Sequence, residues 1–339
     1  MRRYCCNPII TPADVIPSRE DFEVIGVFNA GAVEIEGRTL LLLRVAERPI
    51  GEGVVAPVFN SDTGLVELMQ FSQDADVSDP RIIKDGGQYY ITSISHLRRA
   101  WSSDGVVFSV EDVPALYPSN KYEEYGIEDP RITYIDEKYY VNYTGVSRYG
   151  AGTMLAISDN MLSFGKKGII FAPDNRDVAI FPEKINGRYY ALHRPSPGML
   201  SKPSIWLASS ENMLDWGHHE CIMMPRSGFW DGEKVGGGAP PIRTAEGWLI
   251  IYHGVDSEDS YSLGAALLDH DDPSKVIGRS SKPILLPCEP YEVSGFYGKV
   301  TFTDGAILRA DGRLDIYYGA ADETICLAQA DINEILSIL

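Results

Sequence analysis

A hairpin unit recurs along this chain, and the recurrence limits the folds open to it. Val77-Ser78-Asp79-Pro80-Arg81-Ile82-Ile83 precedes Gln88-Tyr89-Tyr90-Ile91-Thr92-Ser93, and Glu128-Asp129-Pro130-Arg131-Ile132-Thr133 precedes Lys138-Tyr139-Tyr140-Val141-Asn142-Tyr143. Ile180-Phe181-Pro182-Glu183-Lys184-Ile185 then leads into Gly187-Arg188-Tyr189-Tyr190-Ala191-Leu192-His193. Gly238-Ala239-Pro240-Pro241-Ile242-Arg243 leads into Gly247-Trp248-Leu249-Ile250-Ile251-Tyr252-His253-Gly254. More divergent copies are Phe28-Asn29-Ala30-Gly31-Ala32-Val33 with Leu40 to Arg44, and Asp304-Gly305-Ala306-Ile307-Leu308 with Leu314 to Tyr318. Each copy is a strand, a turn bearing Gly or Asp, and a second, more apolar strand. A spacing of roughly 50–60 residues is that of a four-stranded propeller blade. Segments such as Met154 to Asp159 and Ile205 to Ser210 alternate apolar and small residues and suit outer strands. Helical periodicity is confined to Ala330–Leu339, where Ile332, Ile335, Leu336 and Leu339 form a stripe. The expected fold is therefore all-β, a β-propeller with a short C-terminal helix. The copies number six, which on its own predicts six blades unless one is shared between the termini or starts no blade.

In a propeller the innermost strands converge on the axis, so unlike polar groups at the same corner of several copies build one pocket. The corners here carry Asn29, Asp79, Asp129, Glu183 and Asp304. Asp129 stands out within Tyr125-Gly126-Ile127-Glu128-Asp129-Pro130-Arg131. Pro130 is expected to force Asp129 into extended backbone at the mouth of a strand, with Glu128 pointing to the opposite face. The plain alternative is a turn carrying a solvated acid. As a general acid Asp129 has rivals in Asp79, Glu128, Glu183 and Glu233. An inverting glycosidase needs a second carboxylate about 6.5–9.5 Å from the acid, and the chain offers candidates for it.

Cations also gather near these copies. Arg176 lies in the loop leading into one hairpin, Arg194 at the exit of that hairpin, and Lys234 before Gly236-Gly237-Gly238. The net charge of −18 argues against a nucleic-acid backbone or an anionic membrane as partner. In so acidic a chain, cations at strand ends suit a small oxyanion such as phosphate, although each alone could merely pair with a neighbouring acid. The glycine triplet precedes no helix and so is no nucleotide-binding loop. His193 and His253 end apolar strands, His218-His219 sits in a polar turn, and neither a metal-ligand spacing nor a G-x-S-x-G elbow occurs. No metal or cofactor is expected. The five cysteines (Cys5, Cys6, Cys221, Cys288, Cys326) are odd in number and lack zinc spacing, which favours a reducing compartment. Met1 to Pro8 has no signal-like apolar run, and a cytoplasmic location is expected.

Taken together, Val27-Phe28-Asn29-Ala30-Gly31-Ala32, Leu42-Leu43-Arg44-Val45, Gly126-Ile127-Glu128-Asp129-Pro130-Arg131, Phe181-Pro182-Glu183-Lys184, Leu192-His193-Arg194-Pro195 and Gly236-Gly237-Gly238-Ala239-Pro240-Pro241 resemble glycoside hydrolase family 130, the mannoside phosphorylases. The resemblance runs from Asn7-Pro8 to Asp322 and implies a five-bladed β-propeller, with residues 1–339 forming a single catalytic domain. It implies that Asp129 is the general acid, acting through a sugar hydroxyl. It implies that Arg176, Arg194 and Lys234 bind phosphate, which attacks the anomeric carbon with inversion to give α-mannose 1-phosphate. Asn29, Arg44, Tyr261 and Asp322 resemble sugar- or phosphate-pocket positions. The stretch through Arg44 to Pro49 is most similar to members acting on β-1,2-mannobiose or β-1,2-oligomannan, with β-1,4-mannosyl sugars open. Inorganic phosphate would be co-substrate, and family members are often homo-oligomers. Two other readings stand beside it: an inverting β-mannosidase with Glu183 or Glu233 as base, and a non-catalytic carbohydrate-binding propeller. Trp101, Tyr122, Tyr125 and Phe296 are candidates for sugar stacking or for ordinary packing. Loops Arg48 to Gly53, Ser95 to Ser103 and Glu289 to Lys299 are expected to set linkage and chain length.

Overall fold

A computed structural model describes residues 1–79 and 81–339, so Pro80 of the Asp79-Pro80-Arg81 copy lies outside the described residues. Five antiparallel sheets follow one another along the chain as five blades. Their innermost strands are Phe22–Ile35, Ile127–Ile135, Asn175–Ile180, Lys234–Gly237 and Thr301–Leu308. Each second strand pairs with its inner strand and is buried on both faces. Leu40 to Leu43, for instance, are all fully buried, which explains why these strands read as unbroken apolar runs rather than alternating ones. The faces meet between blades in five apolar clusters. The first and second blades share Leu42, Ile132 and Val141, and the second and third share Leu155, Phe171 and Val178. Phe181, Trp248 and Tyr252 join the third and fourth, Ile251, Ile316 and Ala328 the fourth and fifth, and Val27, Leu43 and Ile307 the fifth and first. No blade buries its faces alone, so the ring holds only when it is closed.

Closure comes from the N-terminus. Arg2–Arg3 forms the outermost strand of the fifth blade, with Arg2 opposite Gln329 and Arg3 opposite Ala328. Arg3 donates from Nε and Nη2 to the buried Glu292 carboxylate at 2.7 and 2.9 Å. The expected C-terminal helix is present as Ile332–Leu336, and its stripe packs over the cluster between the fourth and fifth blades.

The count of six copies resolves simply. The Val77–Ser93 copy starts no blade: Ile82–Asp85 and Gln88–Ile91 form a detached two-stranded hairpin. With a second hairpin, Val54–Asn60 and Leu65–Phe71, it is inserted between the second and third strands of the first blade. It repeats the local hairpin pattern but has no neighbouring inner strand to pair with, and so stays at the rim.

At the axis the inner strands share a device. The pairing register slips between Phe28 and Gly31, Glu128 and Arg131, Arg176 and Ala179, and Thr303 and Gly305. In three of these bulges an Asn or Asp has left-handed backbone, with φ of 50° at Asn29, 51° at Asp129 and 54° at Asp177. Asn and Asp tolerate this conformation better than other side-chain-bearing residues, and a bulge re-aims the side chain next to it. Asp129 is therefore left-handed and inside its strand, not extended at the mouth as Pro130 alone suggested. Pro130 is accommodated because the inner strand is an edge strand and is bulged there.

Candidate active site

The bulged corners meet at one end of the axis around a cavity of about 300 Å³. All eight of the residues singled out from the sequence line it: Asn29, Arg44, Asp129, Arg176, Arg194, Lys234, Tyr261 and Asp322. Arg81, Asp177, His253 and Tyr297 join them.

Asp129 is held on one oxygen. Its Oδ1 accepts from Asn29 Nδ2 and from Arg44 Nη1, each at 3.0 Å. Among the described residues no donor reaches Oδ2. Arg44 also donates from Nη2 to Glu128 Oε1 at 2.8 Å, and its guanidinium lies over the Phe28 ring. Glu128 thus turns toward the same cation as Asp129 rather than to the opposite face, because the bulge between them cancels the strand's alternation.

The three predicted phosphate ligands sit on strands, not in loops. Arg176 and Arg194 lie directly opposite one another in the ladder of the third blade. Like charges at such a position repel, and here each is drawn toward a different acid. Arg194 donates from Nε to Asp177, while Arg176 makes only a loose approach to Glu128 at 3.7 Å. Lys234 begins the inner strand of the fourth blade and donates to the Tyr261 hydroxyl at 2.6 Å. Burial pushes the Lys234 ammonium below its usual pKa, and the nearby Arg194 adds to the shift. Two cations without a close carboxylate, beside a third that has one, leave the cavity short of negative charge. A small dianion would supply it.

A second layer fixes these groups. Arg131, fully buried on the axis, donates to the backbone carbonyls of Asp129, Gly237 and Gly238 at 3.1 to 3.3 Å and pairs with Asp304 at 2.5 Å. It thereby ties the second, fourth and fifth blades together behind Asp129. Burial alone would raise the Asp177 carboxyl, but Arg194 and Arg131 hold it well below the usual carboxylate range. His253 lies 3.4 Å from Asp177, and burial pushes its pKa down to about 3, leaving the imidazole neutral. The glycine triplet makes room for this layer. A Cβ on Gly236 would stand 2.2 Å from Asp177 Oδ2 and 2.4 Å from His253 Cε1. Burial drives Asp304 well above the ordinary carboxylate range. Burial also raises Asp322 to about 7, with Asp129 and Glu128 adding repulsion against the pull of Arg44.

Several expectations need correction. Glu183 is not the third-blade counterpart of Asp129; it follows the inner strand at the far end and pairs with Arg243 at 2.6 Å on the surface. The counterpart is Asp177, which aligns as Arg176-Asp177-Val178 against Glu128-Asp129-Pro130. Glu233 pairs with Lys202 at 2.8 Å and does not line the cavity either. Asp79 pairs with Arg81 at the rim. Trp101 packs under Arg38 and bonds Glu111, and Tyr122 stacks edge-on with Tyr149, so neither reaches the cavity. Tyr125 and Phe296 line an adjoining cleft. His253 was legible in principle: it occupies the place on its strand that Arg44 and Arg194 occupy on theirs.

The family model for glycoside hydrolase family 130, described as beta-1,4-mannooligosaccharide phosphorylase, matches residues 93–339. The chain is 47% identical to a beta-1,2-mannobiose phosphorylase of Listeria innocua, over 98% of this chain and 97% of that protein. It is 37% identical to a 1,2-beta-oligomannan phosphorylase of Thermoanaerobacter sp., over 87% of this chain and 98% of the relative. The solved structure of beta-1,2-mannobiose phosphorylase from Listeria innocua in complex with beta-1,2-mannobiose superimposes with a TM-score of 0.96 at 46% identity, covering 100% of this chain and 98% of that one.

Proposed function

The chain belongs to glycoside hydrolase family 130, and from that premise we propose that it is an inverting β-mannoside phosphorylase acting on β-1,2-mannobiose or β-1,2-oligomannan. The observation that carries this reading is the convergence of Arg176, Arg194 and Lys234 on the cavity that also holds Asp129. Phosphate, held by the three cations and Tyr261, attacks the anomeric carbon of the terminal mannosyl unit. The C1–O bond to the leaving sugar breaks as Asp129 delivers its proton, through a sugar hydroxyl, to the departing oxygen. The products are α-mannose 1-phosphate and the shortened sugar. The nucleophile arrives already ionised, so no catalytic base is required. Asn29 and Arg44 orient Asp129, and Asp322 stands where the sugar hydroxyls would lie. Residues 1–339 act as one catalytic unit in this reading, with phosphate as co-substrate and no resident cofactor. A cytoplasmic site of action suits an enzyme that keeps the glycosidic bond energy in a sugar phosphate. No helix among the described residues is long and apolar enough to cross a membrane.

The hydrolytic reading loses support because both proposed bases, Glu183 and Glu233, are engaged in surface ion pairs away from the cavity. Incubation with β-1,2-mannobiose in the presence and absence of phosphate separates the two. Phosphorolysis yields mannose 1-phosphate and no turnover without phosphate; sugar release that ignores phosphate would refute it.

A further inference from the structure

The segment between strands Val276–Arg279 and Thr301–Leu308 brings Tyr297 and Val300 to the wall of the cavity. Its backbone is stitched to residues on either side of the reaction site. Lys299 O accepts from Tyr261 N, and Ala321 O, next to Asp322, accepts from Tyr297 N, each at 2.9 Å. Ala321 N donates in turn to Val300 O at 3.1 Å. The Tyr297 hydroxyl donates to Asp259, its ring meets Tyr261 edge-on at 6.4 Å, and the Arg81 guanidinium lies 4.4 Å over it. A shift of this segment would therefore move Asp322 and Tyr261, the partner of Lys234, together.

Glu292, on the single helical turn Pro290–Val293, fixes the segment. Its carboxylate is fully buried and faces only donors. Oε1 accepts from Arg3 Nε at 2.7 Å and from the Tyr318 hydroxyl at 2.8 Å. Oε2 accepts from Arg3 Nη2 at 2.9 Å, Cys288 N at 2.8 Å and Glu289 N at 3.0 Å. The Glu292 carbonyl accepts from Val300 N at 3.0 Å, so the turn also holds the end of the segment that enters the cavity. Burial alone would raise the Glu292 carboxyl, but Arg3, the N–H groups of Glu289 and Cys288 and the Tyr318 hydroxyl hold it below its usual range. Among the described residues Arg3 is its only cationic partner, and the two-residue strand that supplies Arg3 does not line the cavity. Without that cation the carboxylate would be left as a buried charge short of compensation, and the segment could relieve it only by moving toward water.

We propose that Glu292, through its pair with Arg3, is a positioning residue for the reaction: it holds Tyr297 and Val300 in place against Tyr261 and Asp322. The outermost strand of the fifth blade then supports substrate binding as well as closure of the ring. The inference rests on the phosphorylase reading. Asp129 is held separately, by Asn29 and Arg44, so proton delivery is untouched and the effect falls on the binding of both substrates.

The test measures initial rates of phosphorolysis of β-1,2-mannobiose by the full chain, varying each substrate, for the parent, Arg3→Ala, Arg3→Lys and Glu292→Gln. Amide hydrogen exchange over residues 288–300 is followed on the same preparations. Arg3→Ala should raise KM for phosphate and for mannobiose about tenfold each, keep kcat within about threefold, and speed exchange in the segment. Arg3→Lys keeps the charge but loses the two-pronged geometry and should fall between parent and Ala. Glu292→Gln sets an amide N–H against donors at whichever oxygen it replaces and should act at least as strongly as Arg3→Ala. If Glu292→Gln does not fold, Arg3→Ala decides alone, because the carboxylate then keeps three of its five hydrogen bonds. A lower kcat with unchanged KM is the mark of a smaller folded fraction and would overturn the inference, as would raised KM values without faster exchange in the segment. A parent that makes no mannose 1-phosphate would refute the phosphorylase reading instead, since exchange reports the Arg3–Glu292 coupling without turnover.

Discussion

Replacing Asp129 with Asn separates the chemical role of this carboxyl from its structural one. Both bonds to the carboxylate fall on Oδ1, from Asn29 and Arg44, each at 3.0 Å. An asparagine oxygen can accept both, and its amide then takes the place of Oδ2, which has no donor to lose. The substitution keeps shape and packing. Arg44 retains Glu128 as a charged partner at 2.8 Å, so it is not left as an unpaired buried cation. The structural cost is therefore confined to weakening one charge-assisted bond, about 1 kcal/mol. The chemical cost is much larger. Losing a positioned general acid removes about 10²–10⁴ in rate, or roughly 3–5 kcal/mol of barrier lowering. The assay is release of mannose 1-phosphate from β-1,2-mannobiose at saturating phosphate, with thermal unfolding measured on the same preparation. The expected outcome is kcat lower by at least 10²-fold, KM for phosphate within a few-fold, and a nearly unchanged unfolding temperature. Turnover within tenfold of the parent would refute Asp129 as the acid. A fall in activity matched by unfolding would refute the claim that its role is chemical.

Arg176 and Arg194 should part company when each is replaced by Ala. Arg176 has only a loose acid contact, so its loss should raise KM for phosphate about tenfold or more and leave stability within about 0.5 kcal/mol. Arg194→Ala strands part of the buried charge on Asp177 and should also cost about 3–5 kcal/mol of stability in a denaturant titration; equal stability for the two variants would refute the pairing. For Asp322, the folded pKa of about 7 lies above the unfolded value of 3.8. Its neutral form thus lends stability that is fully present below about pH 4 and is lost as pH rises through about 7, on the order of a few kcal/mol. Relative to the parent, Asp322→Asn should gain stability steadily from pH 4 to pH 8, and a difference that stays flat across that range would contradict the assignment.

Much of this protein was determined by local pattern. Repeated hairpins with apolar second strands permit little except a ring of blades, because each blade must bury both of its faces. The resemblance to family 130 then named eight of the cavity-lining residues. Tertiary structure decided what depends on register and closure. Whether the Val77–Ser93 copy begins a blade turns on what its strands find beside them, and the hairpin itself is the same either way. Whether Glu128 and Asp129 share a face turns on one bulge, which a two-residue period cannot foresee. Asp177 rather than Glu183 answers to Asp129 because the ladder sets Arg176 opposite Arg194 and carries the Phe-Pro-Glu-Lys segment to the far end of the strand. His253, Arg131 and Asp304 come from separate blades and lie far apart in sequence. Their titration follows from the burial and mutual fields that only the closed ring creates.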